Sequence, residues 1–313
     1  MERDVHDALV SQFDSHSIVR RLRHVPPHEV YEVRVDACHA VYKGDTGPTG
    51  RAATEGRVTA FVGRETSVPV PEVLAVGDGY YVAGWHPDAP APDAARAVDE
   101  TWARAAGRGL ARLHDETDGS VEAYGRFRPD DAAPDGAAAG DLAIDGHDDW
   151  HAAACAYVRD RRPAIADYGH ADVADEVLDF LDNRPDAFAG ADGPVCCHGW
   201  WTPEHVAADD GAVSCVVDFE HAVAAPGEFD YWRTVLPTFR DDAGDAQRAF
   251  RAGYESVRAL PEGFERRAPL YVLLNEVYYL ESLHVQSQHG PEETADRAAW
   301  FRERIDERLD ARR

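Results

Sequence analysis

The sequence predicts an α+β protein of two lobes, in which a small antiparallel sheet with one helix precedes a mainly helical part. Two observations support this prediction. After a short helical pattern at 1–14, the residues up to 85 contain short runs rich in β-branched residues and one further helical pattern, in the order β-β-β-α-β-β. Residues 86–92 then hold three prolines, which is typical of a hinge, and helical patterns dominate residues 93–313. A chain of 313 residues is long enough for an apolar core in each lobe.

Each element of the first lobe has its own local signal. Residues 1–14 have the pattern of a short amphipathic helix. The helix of the sheet is indicated by Val58, Phe61 and Val62 at helical spacing, and a proline-punctuated entry, VPVPEVLAVGDG, introduces the last two strands. The predicted elements are strands at 17–22, 30–35 and 40–43, a helix at 51–63, and strands within 68–79 and 80–85.

The second lobe begins with one long predicted helix, 93–116, which places Trp102, Leu110 and Leu113 inward. Residues 118–147 are rich in Gly, Asp and Ala and hold little apolar material, so we predict an irregular excursion there. The other predicted elements are helices at about 148–162 and 171–183, a strand-loop-strand segment at 195–218, and several helices from 229 onward.

Composition narrows the classes of partner. The chain has 58 acidic and 32 basic residues, a formal net charge of −26. Such a surface repels phosphate backbones, so we expect neither nucleic acid nor an anionic membrane as a partner. The acidic residues are dispersed, which favours a folded protein in a cytosol of very high salt. No run reaches the roughly 18 apolar residues of a membrane span, and the N-terminus lacks an apolar signal region, so a cytoplasmic location is expected.

The five cysteines do not form a recognisable framework. Their number is odd, and no C-x-x-C spacing occurs, which argues against a disulfide scaffold and a zinc knuckle. Cys196, Cys197 and Cys215 lie in apolar, strand-like runs. We therefore expect buried free thiols.

Lys43 is the single lysine in a chain with 31 arginines. Lysine offers a compact point charge, so its survival favours a position such as a phosphate site, where the planar fork of arginine is no substitute. Compositional drift is the alternative. Lys43 ends a predicted strand, and Glu55 lies in the following helix. In kinases, a strand lysine that holds the phosphates of ATP is paired with a helix glutamate in this way.

Residues 195–223, VCCHGWWTPEHVAADDGAVSCVVDFEHAV, form the most informative segment. An apolar strand leads into His198 and Gly199, a polar turn follows, and a second apolar strand ends at Asp218. This is the layout of a kinase-like active site. The histidine is expected to be structural, with a hydrogen bond to the backbone near Asp218. A carboxylate at a strand end can chelate Mg²⁺, although it can also cap the next turn.

Three positions depart from that layout. Trp200 stands where the carboxylate that accepts the substrate's proton is expected, and Glu204 is the nearby carboxylate that could act as base. Trp200 and Trp201 could place one indole in the core and one in the cleft, or both could be packing residues. His205 stands in place of an Asn that holds a second metal ion, and imidazole prefers Zn, Ni or Cu to Mg²⁺. A transition-metal site is thus a further alternative, without an established motif; its ligands would be His198, His205, Asp218, Glu220 and His221.

The turn between the first two strands, RHVPPHEV, contains two prolines and no glycine. In kinase-like sites this turn covers the phosphates, and proline removes the N–H donors that would bind an anion. The turn therefore counts against tight nucleotide binding or acts by its shape.

Taken together, these segments resemble the aminoglycoside phosphotransferase and choline kinase family, distant relatives of the protein kinases. The resemblance covers roughly residues 17–290 and is carried by AVYK, the Glu55 helix with VPVPEVLAVGDG, GRGLARLHDET, HGWWTPEHV, CVVDFEHA and GEFDYWR. In family members the middle motif typically runs His-Gly-Asp and, a few residues later, Asn.

The resemblance implies a protein-kinase-like fold with ATP and Mg²⁺ in the cleft between the lobes. It places the hinge near residues 83–86, where Gly84 and Trp85 would contact the nucleotide. The other implied roles are Lys43 at the phosphates, Glu55 at Lys43, Asp218 at the metal, and Asp230 as support of the loop around His198. His205, which stands in place of the Asn, is a further candidate metal ligand.

The predicted function is ATP-dependent phosphoryl transfer to a hydroxyl group of a small molecule, with an atypical catalytic loop. The alternative is a catalytically inactive pseudokinase that binds nucleotide or another small ligand. Phosphoryl transfer depends mainly on positioning and charge neutralisation, so the loss of a base worth about 10²–10⁴ in rate does not decide between them. The sequence indicates neither the substrate nor the oligomeric state.

Overall fold

A computed structural model describes residues 2–90, 98–130, 142–239, 244–286 and 288–311. Its first part is an antiparallel sheet of strand order β1-β2-β3-β5-β4 with a helix on each face, which confirms the predicted order β-β-β-α-β-β. The elements are α1 (Glu2–Val10), β1 (His16–Val25), β2 (His28–Val35), β3 (Cys38–Asp45), α2 (Ala52–Glu65), β4 (Val73–Gly77) and β5 (Tyr80–Gly84).

Alternation along the strands separates the two faces of the sheet. Tyr80 and Val82 of β5 pack with Leu9 of α1. Tyr81, between them in sequence, turns to the other face and packs against Ala52 of α2. Because successive strand residues point to opposite sides, each face has its own helix to cover it.

The second part of the chain is mainly helical, as predicted. A sheet of order β7-β6-β11-β8 and the hairpin β9-β10 lie among its helices. The described elements are α3 (Glu100–Thr117), β6 (Tyr124–Pro129), β7 (Leu142–His147), α4 (Trp150–Ala166), α5 (Ala171–Asp182), β8 (Val195–Cys197), β9 (Val206–Asp209), β10 (Ala212–Val216), β11 (Val223–Ala225), α6 (Gly227–Thr238), α7 (Gly244–Glu255), α8 (Phe264–Val285) and α9 (Pro291–Asp310).

One apolar core joins the two parts. Val58, Phe61 and Val62 of α2 belong to the same buried cluster as Leu110 of α3 and Trp201 of the loop after β8. The helix therefore covers the sheet with one side and contributes to the core of the helical part with another. The lobe boundaries at residues 85 and 93 remain a prediction, and residues 91–97 lie outside the described part of the chain.

The predicted irregular excursion at 118–147 was wrong, because β6 and β7 form an antiparallel pair there. Phe127 is buried, and Leu142 and Ile144 pack against the main core. Few apolar residues are enough to hold these strands in place, because only one face of each strand is covered. In addition, β6 pairs with β11, which lies far along the chain. Residues 131–141 lie outside the described part.

Two further features concern cysteines and membranes. The five cysteines are free, and Cys196, Cys197 and Cys215 are buried, which confirms the expected buried thiols. Within the described residues, none of the helices combines the length and the apolar character that crossing a membrane requires.

Glycine allows α3 and α7 to pack closely, and this makes a first prediction. A Cβ atom at Gly107 would lie 2.0 Å from the backbone oxygen of Phe250. We expect Gly107→Ala to lower the free energy of unfolding by about 1–3 kcal/mol, although alanine favours the isolated helix. Urea denaturation in molar KCl measures the change. Gly47→Ala is the control, because nothing lies within 4 Å of its Cβ; equal stability of the two variants would contradict the close packing.

Candidate functional site

The ammonium group of Lys43 is the centre of the candidate site. Its Nζ lies 2.7 Å from Glu55 Oε2, 2.9 Å from Asp218 Oδ1 and 3.2 Å from Glu220 Oε2. Burial alone would lower the pKa of Lys43, but Asp218, Glu55 and Glu220 hold it well above its usual value. The lysine, only 7% exposed, is therefore a fixed positive charge that connects β3, α2 and the turn after β10.

Glu55 reaches this lysine because α2 lies close against the sheet. Lys43 is registered opposite Tyr81, and a Cβ atom at Gly56 would lie 2.5 Å from Tyr81 Cβ, so glycine permits the approach. The Tyr81 hydroxyl donates to Glu55 Oε1 at 2.9 Å. Burial raises the pKa of Glu55 to about 7, against the opposing effect of Lys43. The carboxyl group thus has a fixed position and two partners.

Asp218 and Glu220 supply oxygens suited to a hard cation. Asp218 has a φ of 70°, in the left-handed region that few non-glycine residues occupy. Carboxylate oxygens of Glu55, Asp218 and Glu220 come within 4.8 Å of one another. Burial would raise the pKa of Asp218, but Lys43 lowers it to about 2. An ionised oxygen set of this kind fits Mg²⁺ by its chemistry.

The predicted transition-metal set is not assembled as one group. Among the described residues, only one other cluster of potential ligand groups comes as close together, and it consists of His114, Cys197 and Asp230. That cluster is fully buried, and burial raises the pKa of Cys197 well above its usual value. His205 belongs to neither group; its Nδ1 lies 3.1 Å from the Trp200 carbonyl oxygen and its Nε2 lies 3.3 Å from Asp218 Oδ2.

The loop after β8 is held by backbone hydrogen bonds to side chains. His198 Nε2 lies 3.0 Å from the carbonyl oxygen of Val217, and its Nδ1 accepts from the N–H of Trp200 at 3.1 Å. Burial lowers the pKa of His198 to about 4, so the imidazole is neutral and donates through Nε2. The histidine therefore ties the loop to the residue before Asp218.

Asp230 anchors the same loop from α6. Its two oxygens accept the N–H groups of His198 at 2.6 Å and Gly199 at 2.9 Å. His114 Nε2 lies 3.3 Å from Asp230 Oδ2, and His114 Nδ1 lies 2.8 Å from the hydroxyl oxygen of Tyr254. Gly199 has a φ of 81°, and a Cβ atom there would lie 2.1 Å from the backbone oxygen of His221, so glycine is required.

The two tryptophans point to different surroundings. Trp201 is 0% exposed, and its indole N–H donates to the carbonyl oxygen of Ala106 at 3.0 Å. Trp200 is half-buried against Tyr278 and Tyr279 of α8, with ring centres 6.1 Å and 5.9 Å away. One indole is in the core, and the other lies on an aromatic wall beside the loop.

Glu204 is an exposed residue that the indole of Trp200 holds. Trp200 Nε1 donates to Glu204 Oε1 at 2.8 Å, and the Thr202 hydroxyl donates to the same oxygen at 3.2 Å. The structure thus places the Glu204 carboxylate against the N–H edge of the Trp200 indole.

Sequence reasoning missed His28, which lies directly after the Pro26–Pro27 turn. The imidazole is buried, with Nε2 3.2 Å from Glu220 Oε2 and Nδ1 3.0 Å from Asp45 Oδ1. Burial lowers its pKa, but the hydrogen bond with Glu220 and the negative charges of Glu220 and Glu55 together outweigh this effect, and the pKa is raised. The signal in the sequence was a histidine directly after two prolines, which lack N–H donors.

The predicted hinge residues lie at the end of β5. The N–H of Gly84 donates to the Glu72 carbonyl oxygen at 2.8 Å, and the N–H of Trp85 donates to that of His39 at 2.9 Å. The indole of Trp85 stacks on the His39 ring at 4.3 Å and is partly exposed. Of the predicted hinge segment, residues 91–92 lie outside the described part.

Comparisons with known proteins agree on one architecture. The model of the phosphotransferase enzyme family matches residues 29–270. A protein from Thermobifida fusca provisionally named as a fructosamine-3-kinase has a TM-score of 0.69 at 18% identity, with 98% of this chain and 97% of that chain covered. No curated protein matches the sequence.

Two further solved structures have the same fold. A thermostable mutant of aminoglycoside phosphotransferase APH(4)-Ia, in a ternary complex with ADP and hygromycin B, has a TM-score of 0.65 at 18% identity and 99% coverage of both chains. The macrolide 2′-phosphotransferase MphH from Brachybacterium faecium has a TM-score of 0.58 at 16% identity, with 96% and 98% covered. These similarities confirm the predicted protein-kinase-like fold.

Proposed function

The chain belongs to the phosphotransferase enzyme family, and from this premise we propose that it transfers a phosphoryl group from ATP to a hydroxyl group of a small molecule, with an atypical catalytic loop. The observation that supports this most directly is the contact of Lys43 with Glu55, Asp218 and Glu220. It joins one cation and three carboxylates from both parts of the chain at one point, as phosphate and metal binding require.

In this proposal Lys43 binds the phosphates, Glu55 holds Lys43, and Asp218 with Glu220 holds Mg²⁺. An ion held by these carboxylates would neutralise negative charge on the phosphates. His205 serves as a partner of Asp218, since imidazole is a poor ligand for Mg²⁺. The backbone at Gly84 and Trp85 would contact the nucleotide base. Nucleotide binding is supported by the ADP complex of aminoglycoside phosphotransferase APH(4)-Ia, which has the same fold.

We assign the role of base to Glu204. Trp200 takes the expected position of the catalytic carboxylate and donates to Glu204 Oε1, so the carboxylate is displaced to the rim of the site. A displaced base remains compatible with turnover, because phosphoryl transfer relies chiefly on positioning and charge.

A pseudokinase is the second candidate function, and one observation favours it. Asp218 Oδ1 already contacts Lys43, and Asp218 Oδ2 lies 3.3 Å from His205 Nε2. Both oxygens of the proposed metal ligand thus have protein partners, as in a site that holds a ligand without reaction.

Calorimetry with ATP tests the part that both candidates share. We expect binding in molar KCl with Mg²⁺, and about tenfold weaker binding by Asp218→Asn, because one metal ligand is lost. In EDTA the same variant should bind ATP no more weakly than the wild type, since it removes a negative charge beside the phosphates. Asp210→Asn is the control, an equal charge change at another residue with positive φ. Absence of heat in the wild type would exclude both ATP-based candidates and leave only a pseudokinase that binds another small ligand.

Turnover then separates the two candidates. ATP consumption is measured with sugars, amino alcohols and aminoglycosides as acceptors. Loss of about 10²–10⁴ in rate in Glu204→Gln supports the displaced base, and unchanged turnover excludes it. If the wild type binds ATP but is inactive with each acceptor, and Trp200→Asp gains activity, the protein is a pseudokinase that lacks only its base.

A further inference from the structure

Four arginines lie near one another in a chain whose net charge is −26, and one of them, Arg233, lies 5.8 Å from the Trp200 ring. We call them the arginine cluster. They come from four separate places, namely the residue before α2, β6, α4 and α6, and they are Arg51, Arg126, Arg161 and Arg233.

The cluster reaches the candidate site through Tyr278. The guanidinium carbon of Arg233 lies 3.8 Å from the centre of the Tyr278 ring, and that of Arg161 lies 5.6 Å from it. Arg233 is also 5.8 Å from the Trp200 ring, and the Tyr278 hydroxyl lies 3.2 Å from His221 Nε2. The positive groups thus share an aromatic wall with the residue at the expected position of the base.

Arg233 brings a buried positive charge under the catalytic loop. Its side chain donates to the Gly199 carbonyl oxygen and, at 2.7 Å, to the Tyr157 hydroxyl. The residue is 2% exposed, and these two hydrogen-bond partners are uncharged. Burying an unpaired charge is unfavourable. Because the charge of Arg233 is not neutralised by either of these partners, it makes the local electrostatic potential more positive.

Arg51 adds a second guanidinium group without a carboxylate partner among the described residues. It donates to the carbonyl oxygen of Phe127, the residue after Arg126. Burial lowers the pKa of Arg51 to about 10; the charges of Arg126 and Arg161 lower it further, and those of Asp145 and Asp160 raise it. The group remains protonated at neutral pH.

The carboxylates nearby are too few to neutralise the cluster. Arg126 pairs with Asp160 at 2.8 Å, on the surface. Arg161 Nε lies 3.1 Å from Glu281 Oε2 but lacks hydrogen-bond geometry, so this buried donor has no hydrogen-bond partner. Among the described residues, four guanidinium groups therefore face three carboxylates, Asp145, Asp160 and Glu281, and Asp145 already pairs with a fifth arginine, Arg128, at 2.8 Å. Over the chain as a whole, acidic residues are in excess.

We propose that the small molecule bound beside Trp200 is anionic, a polyol that carries a carboxylate or phosphate group which the arginine cluster binds. This rests on the proposed function. The acceptor hydroxyl oxygen bonds to the γ-phosphorus of ATP, the bond from that phosphorus to the β–γ bridging oxygen breaks, ADP leaves with the electron pair, and the hydroxyl proton passes to Glu204. Arginine suits both anions, because its planar fork donates two parallel hydrogen bonds to either. Hygromycin B in aminoglycoside phosphotransferase APH(4)-Ia is a different kind of ligand.

Binding of matched sugars tests the inference without turnover. The probes are a hexuronate and a hexose phosphate, each compared with the neutral hexose and with an aminoglycoside. We expect at least one of the two anions to bind about tenfold more tightly than the neutral hexose. The affinity for that anion should fall as the KCl concentration is raised. The preferred anion identifies the charged group.

Variants connect that preference to the cluster. Arg126→Gln and Arg161→Gln should each lower the affinity for the preferred anion about tenfold and leave the affinity for ATP unchanged. Arg64→Gln, an exposed arginine paired with Glu65 at the other end of α2, should change neither affinity more than about twofold.

Failure of the inference can be told from failure of the proposed function. A protein that binds ATP but prefers neutral or cationic sugars overturns the anionic ligand and leaves phosphoryl transfer in place. Anion binding that both glutamine variants retain in full also overturns it, and so does ATP binding without binding of either anion. Absence of ATP binding overturns the proposed function, while the affinity series still decides the charge of the ligand.

Discussion

Asp230→Ala is expected to lower the free energy of unfolding by about 3–5 kcal/mol, the largest stability effect that we predict. The carboxylate is 0% exposed and accepts the N–H groups of His198 and Gly199. Its removal leaves both donors buried without partners, and His114 loses its acceptor as well. Each unsatisfied buried donor is unfavourable by about 1–3 kcal/mol, which is consistent with the total.

The measurement is urea denaturation in molar KCl, analysed by linear extrapolation. Asp175→Ala is the control, since that carboxylate is about half exposed and pairs with Arg162 on the surface. Exposed pairs contribute about 0–1 kcal/mol. Asp230→Asn, which keeps one acceptor oxygen, should lie between the two. If Asp230→Ala is no less stable than Asp175→Ala, the loop does not depend on this anchor.

Lys43→Met should abolish phosphoryl transfer and weaken ATP binding by roughly 10–100-fold, the range of a charge-assisted hydrogen bond worth about 1.5–3 kcal/mol. The variant leaves Glu55, Asp218 and Glu220 facing one another without the cation that now lies within 3.2 Å of each. The phosphates would then meet only negative charge. Calorimetry and a coupled ATP assay measure the two effects.

Two controls separate charge from geometry. Arg20→Met removes one positive charge from an exposed position of the same sheet and should leave ATP binding unchanged. Lys43→Arg keeps the charge but replaces a point charge with a planar fork, and we expect it to lose turnover while retaining part of the affinity. If Lys43→Arg has wild-type turnover, the singular use of lysine here has no functional cause.

The parts of the fold that were predictable have local signals. The strands of the first sheet show β-branched runs with short turns, and the helix α2 shows Val58, Phe61 and Val62 at helical spacing. The pair β6 and β7 was missed because β6 is also stabilised by β11, a partner far along the chain. A window of sequence contains no information on such a partner.

The site divides in the same way. Lys43 was predictable from its rarity, and Asp218 from its place at a strand end. The direction of Trp200 was not, because two adjacent indoles are equivalent in sequence and only the packing of Trp201 against α3 distinguishes them. The arginine cluster was hidden for another reason: its four members are separated along the chain and are four among 31.

The apolar cluster that α2 shares with α3 has a consequence for how the molecule unfolds. A cut between the predicted lobes would expose Val58, Phe61 and Val62 together with their partner Leu110. Each part also has an apolar cluster of its own, but a cut would open the cluster that they share, so we expect the chain to melt as a single cooperative unit. A ligand held between Lys43 and Asp218 would then stabilise residues remote from it on both sides, so that the midpoint of the melting curve itself becomes a binding assay.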